Sequence, residues 1–400
     1  MLTATRDLVL PTTITGSLPR PGWYTVNLDG RPFRVAMASR DYREQYLDGV
    51  SCLIRDQERA GLDIVTDGDA RFDTDVGGRA WVSYVVQRLQ GFSGYETSRG
   101  HAAWGGAVPG EILYEVLEAR ALPRVTGRVG PGPLEYAPLW RAAQQMTAKP
   151  VKFGSISADC LESIVGNDHY QDRRELVLDL CDVMRAEFVR LADAGCRVFQ
   201  VEEPWVHRFE HHRDDRAMTM DFYVEAFNRS VRGLRERLEL WCHTCWGNPA
   251  QQRFYEAARS YTPALEHMNQ LDVDVLTFEC ASTGGMDLEA IGRRITRPKI
   301  AIGVIDHRGL QVERPEEVAA LIRAALRHIP AERLCVSTDC GFGREGMSRR
   351  HAFYKMVALV RGTNLVRKEL GLPEAPVPAA ETRFALADEM SSRAPHGSDP

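Results

Sequence analysis

Eight short apolar runs, rich in β-branched residues and separated by longer amphipathic segments, most restrict what this chain can become. They are Thr12–Gly16, Leu62–Thr66, Val151–Ser155, Arg197–Val201, Leu238–His243, Val273–Phe278, Lys299–Val304 and Arg333–Ser337. Runs of this length bounded by turn residues read as buried strands. The segments between them include helical patterns. Tyr46, Leu47, Val50, Leu53 and Ile54 share one face of a predicted helix over Tyr42–Ala60. Further helices are predicted over Arg173–Ala194, stopped by Gly195, and over Met220–Arg237, Pro315–His328 and Arg349–Leu370. Strands alternating with helices give parallel βα units, and eight of them predict an α/β fold, a (β/α)8 TIM barrel.

At 400 residues the chain is long for such a barrel. The third run arrives late, so residues 72–149, rich in Gly and aromatics, read as a long insertion after strand 2. One barrel domain is expected over 1–385, with 386–400 as a flexible tail. Hydrophobic content of 44% and charged content of 26% are globular values. A net charge of −5 offers no basic field for nucleic acid or anionic membrane. No apolar run is long enough to span a bilayer. The N-terminal stretch is too short for a secretory signal, and nine cysteines, an odd number, suit a reducing cytoplasm. In that compartment clustered cysteines read as ligands or reactive thiols. Cys52, Cys160, Cys181 and Cys196 are expected to be buried small hydrophobes.

The segment W-C-H-T-C-W-G-N, residues 241–248, sets His243 and Cys245 at the end of the fifth run. Side chains alternate along extended backbone, so H-x-C points both groups the same way. Imidazole plus thiolate suits zinc, although such a pair alone also fits ordinary packing. Glu279 follows the sixth run and Cys340 the eighth. In a barrel these strand ends share one rim, so His243, Cys245, Glu279 and Cys340 could meet as four Zn2+ ligands. Glu279 could instead be a solvated rim carboxylate, and Cys340 a loop hydrophobe. Zinc with two thiolates and a carboxylate is electron-rich. It is poor at activating water but suited to holding a thiol in its nucleophilic form.

H-T-C-W-G-N, Glu279 and S-T-D-C-G-F-G resemble the catalytic domain of cobalamin-independent methionine synthases, in a single-barrel form. So do T-T-I-T-G-S-L-P-R at 12–20 and the stretch ending Q-V-E-E-P at 200–204. The resemblance spans Thr12 to about Leu372. It implies zinc on His243, Cys245, Glu279 and Cys340, and a zinc-activated thiol attacking an alkyl donor. It also implies that Thr15, Gly16 and Ser17 form the loop that holds an amino-acid substrate, although Gly16 also fits a turn alone. Asp69 takes the place of a glutamate that grips the substrate amine, although it could equally pair with Arg71. Glu202 matches an acidic binding position and is followed by Glu203.

Two departures touch the electrophile. An ungapped match places Ile156 where the family stacks a Trp on folate, and Ile has no flat π face. Arg208 stands near the place of a pterin-binding acid. The family's proton-donating His falls one residue from His307, in Asp306-His307-Arg308. The acid is expected to be His307, Asp306 or a held water; Arg308 would otherwise face the site and bind an anionic group. His207, His211 and His212 sit in a charged stretch and read as a solvated loop rather than ligands.

The expected function is zinc-dependent alkyl transfer to a small-molecule thiol from an alkyl donor that need not be folate. One alternative is an epoxide-opening enzyme of the epoxyalkane:coenzyme M transferase type. Others are a metal-free decarboxylase related to uroporphyrinogen decarboxylase, and a protein with a structural zinc. No nucleic-acid or membrane partner is expected, and the 72–149 excursion could serve a homo-oligomer.

Overall fold

The computed structural model describes residues 2–73, 80–96, 122–202, 204–208, 218–247, 259–343 and 347–380. Ten strands lie in this part: β1 Val65–Thr66, β2 Gln90–Glu96, β3 Leu122–Gly130, β4 Val151–Ile156, β5 Gly166–Asn167, β6 Val198–Glu202, β7 Glu239–His243, β8 Val275–Phe278, β9 Lys299–Gly303 and β10 Leu334–Ser337. Seven of them form one parallel sheet in the order β1-β4-β6-β7-β8-β9-β10. The segment at Thr12 closes the ring. Thr13 N donates to Val336 O, Val336 N to Pro11 O, and Ile64 N to Thr12 O. Thr12 and Val336 form a parallel bridge. The eight predicted runs are thus the eight staves of a (β/α)8 barrel.

Two staves are shorter than expected. The Thr12 run makes only bridge contacts, and the second run is a strand only at Val65–Thr66. Asp63 and Ile64 both direct their N–H groups at the one carbonyl of Thr12, which breaks the ladder there. The helix predicted over Met220–Arg237 ends at Val231, and the chain then turns through Gly233 at φ +78°. Helices Arg40–Ala60 and Arg173–Asp193 end where expected, the first on left-handed Gly61. Asp172, Thr219 and Ser348 accept backbone N–H groups as helix N-caps.

Within the 72–149 excursion, β2 and β3 pair antiparallel, and β3 adds β5 in a separate three-stranded sheet. Residues 97–121 and the tail 386–400 lie outside the described residues. Two apolar cores result. The larger lies between the sheet and its helices. The smaller is the barrel interior: Ala4, Ile64, Val198, Trp241, Val275, Ala301 and Cys335. Glu239 seals its lower end by accepting the N–H groups of Thr3, Ala4 and Thr5 at 2.8, 2.9 and 3.0 Å.

Candidate active site and metal centre

Register places the site. Ile156 pairs with Glu202, Glu202 with His243, and His243 with Thr277. These four residues form one rung at the C-terminal rim, where barrel enzymes keep their chemistry. The donor atoms of His243, Cys245 and Cys340 lie within 4.8 Å of one another, and all three residues are buried. The two Sγ atoms are 3.7 Å apart. Two sulfurs about 2.3 Å from a tetrahedral zinc would be about 3.8 Å apart, so the spacing fits the ion. His243 Nδ1 meets Thr277 Oγ1 at 2.7 Å, which turns the ring and leaves Nε2 to serve as the donor. A hydrogen bond with Cys245, helped by the imidazoles of His243 and His307, holds the Cys340 thiol well below the usual cysteine range despite its burial. By contrast, burial pushes the Cys181 thiol up to about 12. Cys160, Cys181 and Cys196 are buried as expected, while Cys52 is half-buried.

Glu279 stands beside the trio but does not join it. Its Oε1 accepts from Ser282 Oγ and Arg308 Nη1, and its Oε2 from Trp246 N at 2.7 Å and Arg308 Nη2 at 3.3 Å. Arg308 Nη2 also reaches Gly247 O at 2.6 Å. Arg308 therefore faces the site, as one of the two sequence readings anticipated, and its partner there is Glu279.

His307 lies behind it, fully buried, with donor atoms within 4.8 Å of those of Asp306 and Asp339. Among the described residues neither ring nitrogen finds a hydrogen-bond partner. Burial pushes this imidazole below the usual histidine range, so it is neutral at neutral pH. Asp306 Oδ1 accepts the Arg308 N–H at 2.9 Å and shapes the turn. Asp339 accepts the N–H groups of Cys280, Ala281 and Ser282, tying the Cys340 loop to the Glu279 loop.

On the opposite side, Thr15 donates two hydrogen bonds to Thr338, from its N–H to Oγ1 at 3.0 Å and from its hydroxyl to the carbonyl at 3.1 Å. Ser17 O accepts the Phe342 N–H at 2.8 Å. A Cβ on Gly341 would stand 2.2 Å from Ser17 Oγ, so glycine lets this loop close on the one that carries Cys340. Asp69 sits at φ +52°, in the left-handed region, with its N–H bonded to Asp67 Oδ1 at 3.0 Å. It does pair with Arg71, at 2.9 Å, and it also faces Gly16 and Glu202. Arg71 is buried and further bonds Asp67 and Gly154 O. Burial pushes Asp67 up to about 6. Gln200 Nε2 donates to Glu202 Oε1 at 2.9 Å. Glu203 lies outside the described residues.

His207 corrects the expectation of a solvated loop. It is buried, and its Nε2 lies 2.8 Å from Cys245 O, with its ring packed on Trp246 and Tyr261. Arg208 Nη2 reaches the same carbonyl at 3.2 Å. Both brace the loop that carries Cys245. The flanking charges hid this, because they said nothing about what the turn at 205–207 packs against. His211 and His212 lie outside the described residues. Thr277, Ser282 and Asp339 were not anticipated as site residues. Asp339 had one available signal, its place directly before Cys340.

A family profile described as the cobalamin-independent synthase catalytic domain matches residues 10–361. The chain belongs to the cobalamin-independent methionine synthase family. A methionine synthase from Saccharolobus solfataricus is 29% identical over 373 residues, covering 90% of this chain and 96% of that protein. One from Thermococcus kodakarensis is 28% identical over 366 residues, covering 90% and 95%. The solved structure of a B12-independent methionine synthase from Shewanella sp. W3-18-1, in complex with selenomethionine, matches with a TM-score of 0.71 at 24% identity. The match covers 91% of this chain and 99% of that one. At that identity the structural match speaks for the fold. Family membership favours neither the coenzyme M transferase type nor the decarboxylase type. Among the described residues no helix is long and apolar enough to cross a membrane.

Proposed function

We propose that this protein is a zinc-dependent methyltransferase that alkylates a small amino-acid thiol, homocysteine in the first instance. The observation that carries the reading is the His243–Cys245–Cys340 cluster at the barrel rim, with its sulfurs 3.7 Å apart. These three residues would hold the ion. Zinc bound there supplies a Lewis acid that keeps an incoming thiol deprotonated near neutral pH.

The chain's own residues then supply position and protons. Thr277 orients His243, and Asp339 ties the loop that carries Cys340 to the loop that follows Glu279. Asp69 and Glu202 converge on Gly16 and offer two carboxylates to a substrate ammonium group. His307, neutral and buried beside Cys340, can take the thiol proton and return one to the leaving group. Asp306 shapes the turn that holds His307 in place. We read the methyl donor as other than folate. Ile156 supplies no stacking face on the central rung, and Arg208 is engaged with the Cys245 carbonyl.

The test combines zinc analysis with product detection. Purified protein is expected to carry one zinc per chain and to convert homocysteine to methionine with a methyl donor drawn from a panel that includes methyltetrahydrofolate. Removal of zinc by chelation abolishes the product, and re-addition restores it. A zinc-free protein with full activity would sink the reading.

A further inference from the structure

Lys152 is a buried basic side chain that the mechanism above does not use. It pairs in register with Val198, at the level of the apolar layer inside the barrel, and reaches from there toward the rim. Its Nζ donates to Gln200 Oε1 at 2.8 Å, its one hydrogen-bond acceptor among the described residues. Burying an amino group there carries a desolvation cost, which the fold meets with this bond and with the Trp241 ring at 4.6 Å. Gln200 carries the contact onward. Its Nε2 donates to Thr15 O at 2.7 Å and to Glu202 Oε1 at 2.9 Å. Both amide hydrogens are thereby used, and Lys152 holds the oxygen. Turned over, the amide would set its oxygen against a carbonyl and a carboxylate. Glu202 Oε1 is closely seated: a Cβ on Gly154 would stand 2.7 Å from it, and one on Gly16 3.4 Å. Thr15 opens the loop read as holding the amino-acid substrate, and Glu202 is one of the two carboxylates offered to its ammonium group. One amide therefore sets the distance between the two halves of that subsite.

We infer that Lys152 is a positioning residue for the substrate amine: acting through Gln200, it holds Glu202 in place against the loop at 15–17. The inference rests on the reading of Asp69 and Glu202 as the ammonium subsite and deepens it. Lys152 stands below the rung of Ile156 and Glu202 and acts at one remove from the substrate. Its amine has hydrogens to donate with or without a charge, so the support holds in either protonation state. Charge and position make opposite demands here. Removing a cation from the neighbourhood of two carboxylates would draw an ammonium group in more tightly. Losing the position of Glu202 would weaken the same complex.

Calorimetric titration of the zinc-loaded full chain separates the two. The ligands are homocysteine and γ-mercaptobutyrate, the same thiol acid without the amine. Both thiols meet the metal alike, so the ratio of their affinities reads the amine alone. Wild type is expected to prefer homocysteine. Lys152→Met puts an apolar side chain into an apolar layer. It is expected to raise the Kd for homocysteine at least tenfold and to leave that for γ-mercaptobutyrate within threefold. In a Gln200→Leu background, where the preference is already lost, adding Lys152→Met is expected to change the homocysteine Kd less than threefold. The inference is overturned if Lys152→Met binds homocysteine as tightly as wild type or more tightly, or weakens both thiols equally. It is also overturned if the substitution costs as much without Gln200 as with it. Should Lys152→Met fail to fold, Gln200→Glu decides. That variant adds a negative charge beside the amine but leaves no donor for Thr15 O and Glu202, so it is expected to bind homocysteine at least tenfold more weakly. Unchanged or tighter binding overturns the inference. Wild-type protein that binds the two thiols equally overturns the ammonium subsite itself, before any variant is made, and this inference with it.

Discussion

Asp69 and Glu202 bring their carboxylates to one point beside Gly16: a methyl group on Gly16 would meet Asp69 Oδ2 at 3.0 Å and Glu202 Oε1 at 3.4 Å. Two carboxylates converging on a backbone position that carries no side chain suit a cationic ligand group. Gly16→Ala is expected to raise KM for homocysteine at least tenfold, with little change in melting temperature, because the methyl intrudes on the binding space and not on the core. Glu202→Gln removes one charge-assisted hydrogen bond, about 1.5–3 kcal/mol, and is expected to raise KM about 10- to 100-fold. Steady-state kinetics against a thiol lacking the amine completes the test. If the amine-free thiol suffers equally from both substitutions, the two carboxylates do not bind an ammonium group.

Thr277 predicts an effect on the metal without touching it. Its hydroxyl lies 2.7 Å from His243 Nδ1, and its carbonyl accepts Thr244 Oγ1 at 2.6 Å. Thr277→Val keeps the volume and the carbonyl but deletes the hydroxyl. Loss of such a support for a ligating imidazole typically costs about 10- to 100-fold in metal affinity. Competition with a chromophoric chelator measures it. An affinity within twofold of wild type would show that the ring is held by packing alone.

Much of this arrangement was legible in the sequence because strand ends are. The period of two in H-T-C, and the recurrence of apolar runs ending in polar residues, placed His243, Cys245 and Glu202 on the rim before any fold was known. Cys340 followed from the same rule. The partner of Glu279 was not legible. Nothing along the chain says that a guanidinium 29 residues later will saturate both carboxylate oxygens. Thr277 was equally hidden, since a threonine in V-D-V-L-T-F reads as an ordinary strand former and its hydroxyl matters only through register with His243. His207 was misjudged for the same reason. Burial of a turn is decided by what packs over it, here Trp246 and Tyr261, and flanking charges do not report that.

Arg71 ties the amine side of the site to the barrel wall. It bonds Asp69 at 2.9 Å, Asp67 at 3.4 Å and Gly154 O at 2.7 Å, with its guanidinium 4.3 and 4.4 Å from the Phe72 and Phe153 rings. All three charged groups are buried. Arg71→Met strands two carboxylates, and breaking a buried pair in this way costs about 3–5 kcal/mol. Denaturant unfolding is expected to show that loss. Adding Asp67→Asn to the variant should recover part of it. If the double variant is no more stable than Arg71→Met, the cost lies in lost packing and not in stranded charge.

Lys152 gives the fold a pH dependence of unusual sign. Its side chain lies inside the barrel, with Nζ 2.8 Å from Gln200 Oε1 and 4.6 Å from the centre of the Trp241 ring. Burial pushes its ammonium group down to about 7, with the nearby Glu202 charge only partly opposing the shift. In the unfolded chain the same group titrates near 10.4. Between about 7 and 10.4 the unfolded chain keeps a proton that the folded chain has released, so raising the pH through that window favours folding. Below about 7 both states hold the proton, and above about 10.4 neither does, so the contribution is level at each end. The gain within the window is about 1.4 kcal/mol per pH unit from this group. Lys152→Met removes it. The unfolding free energy of wild type relative to the variant is therefore expected to rise by about 2–3 kcal/mol between pH 7 and pH 9. Urea unfolding of both proteins at several pH values measures that difference. A difference that stays constant across the window would mean that Lys152 keeps its proton inside the barrel, paired with Glu202 through Gln200.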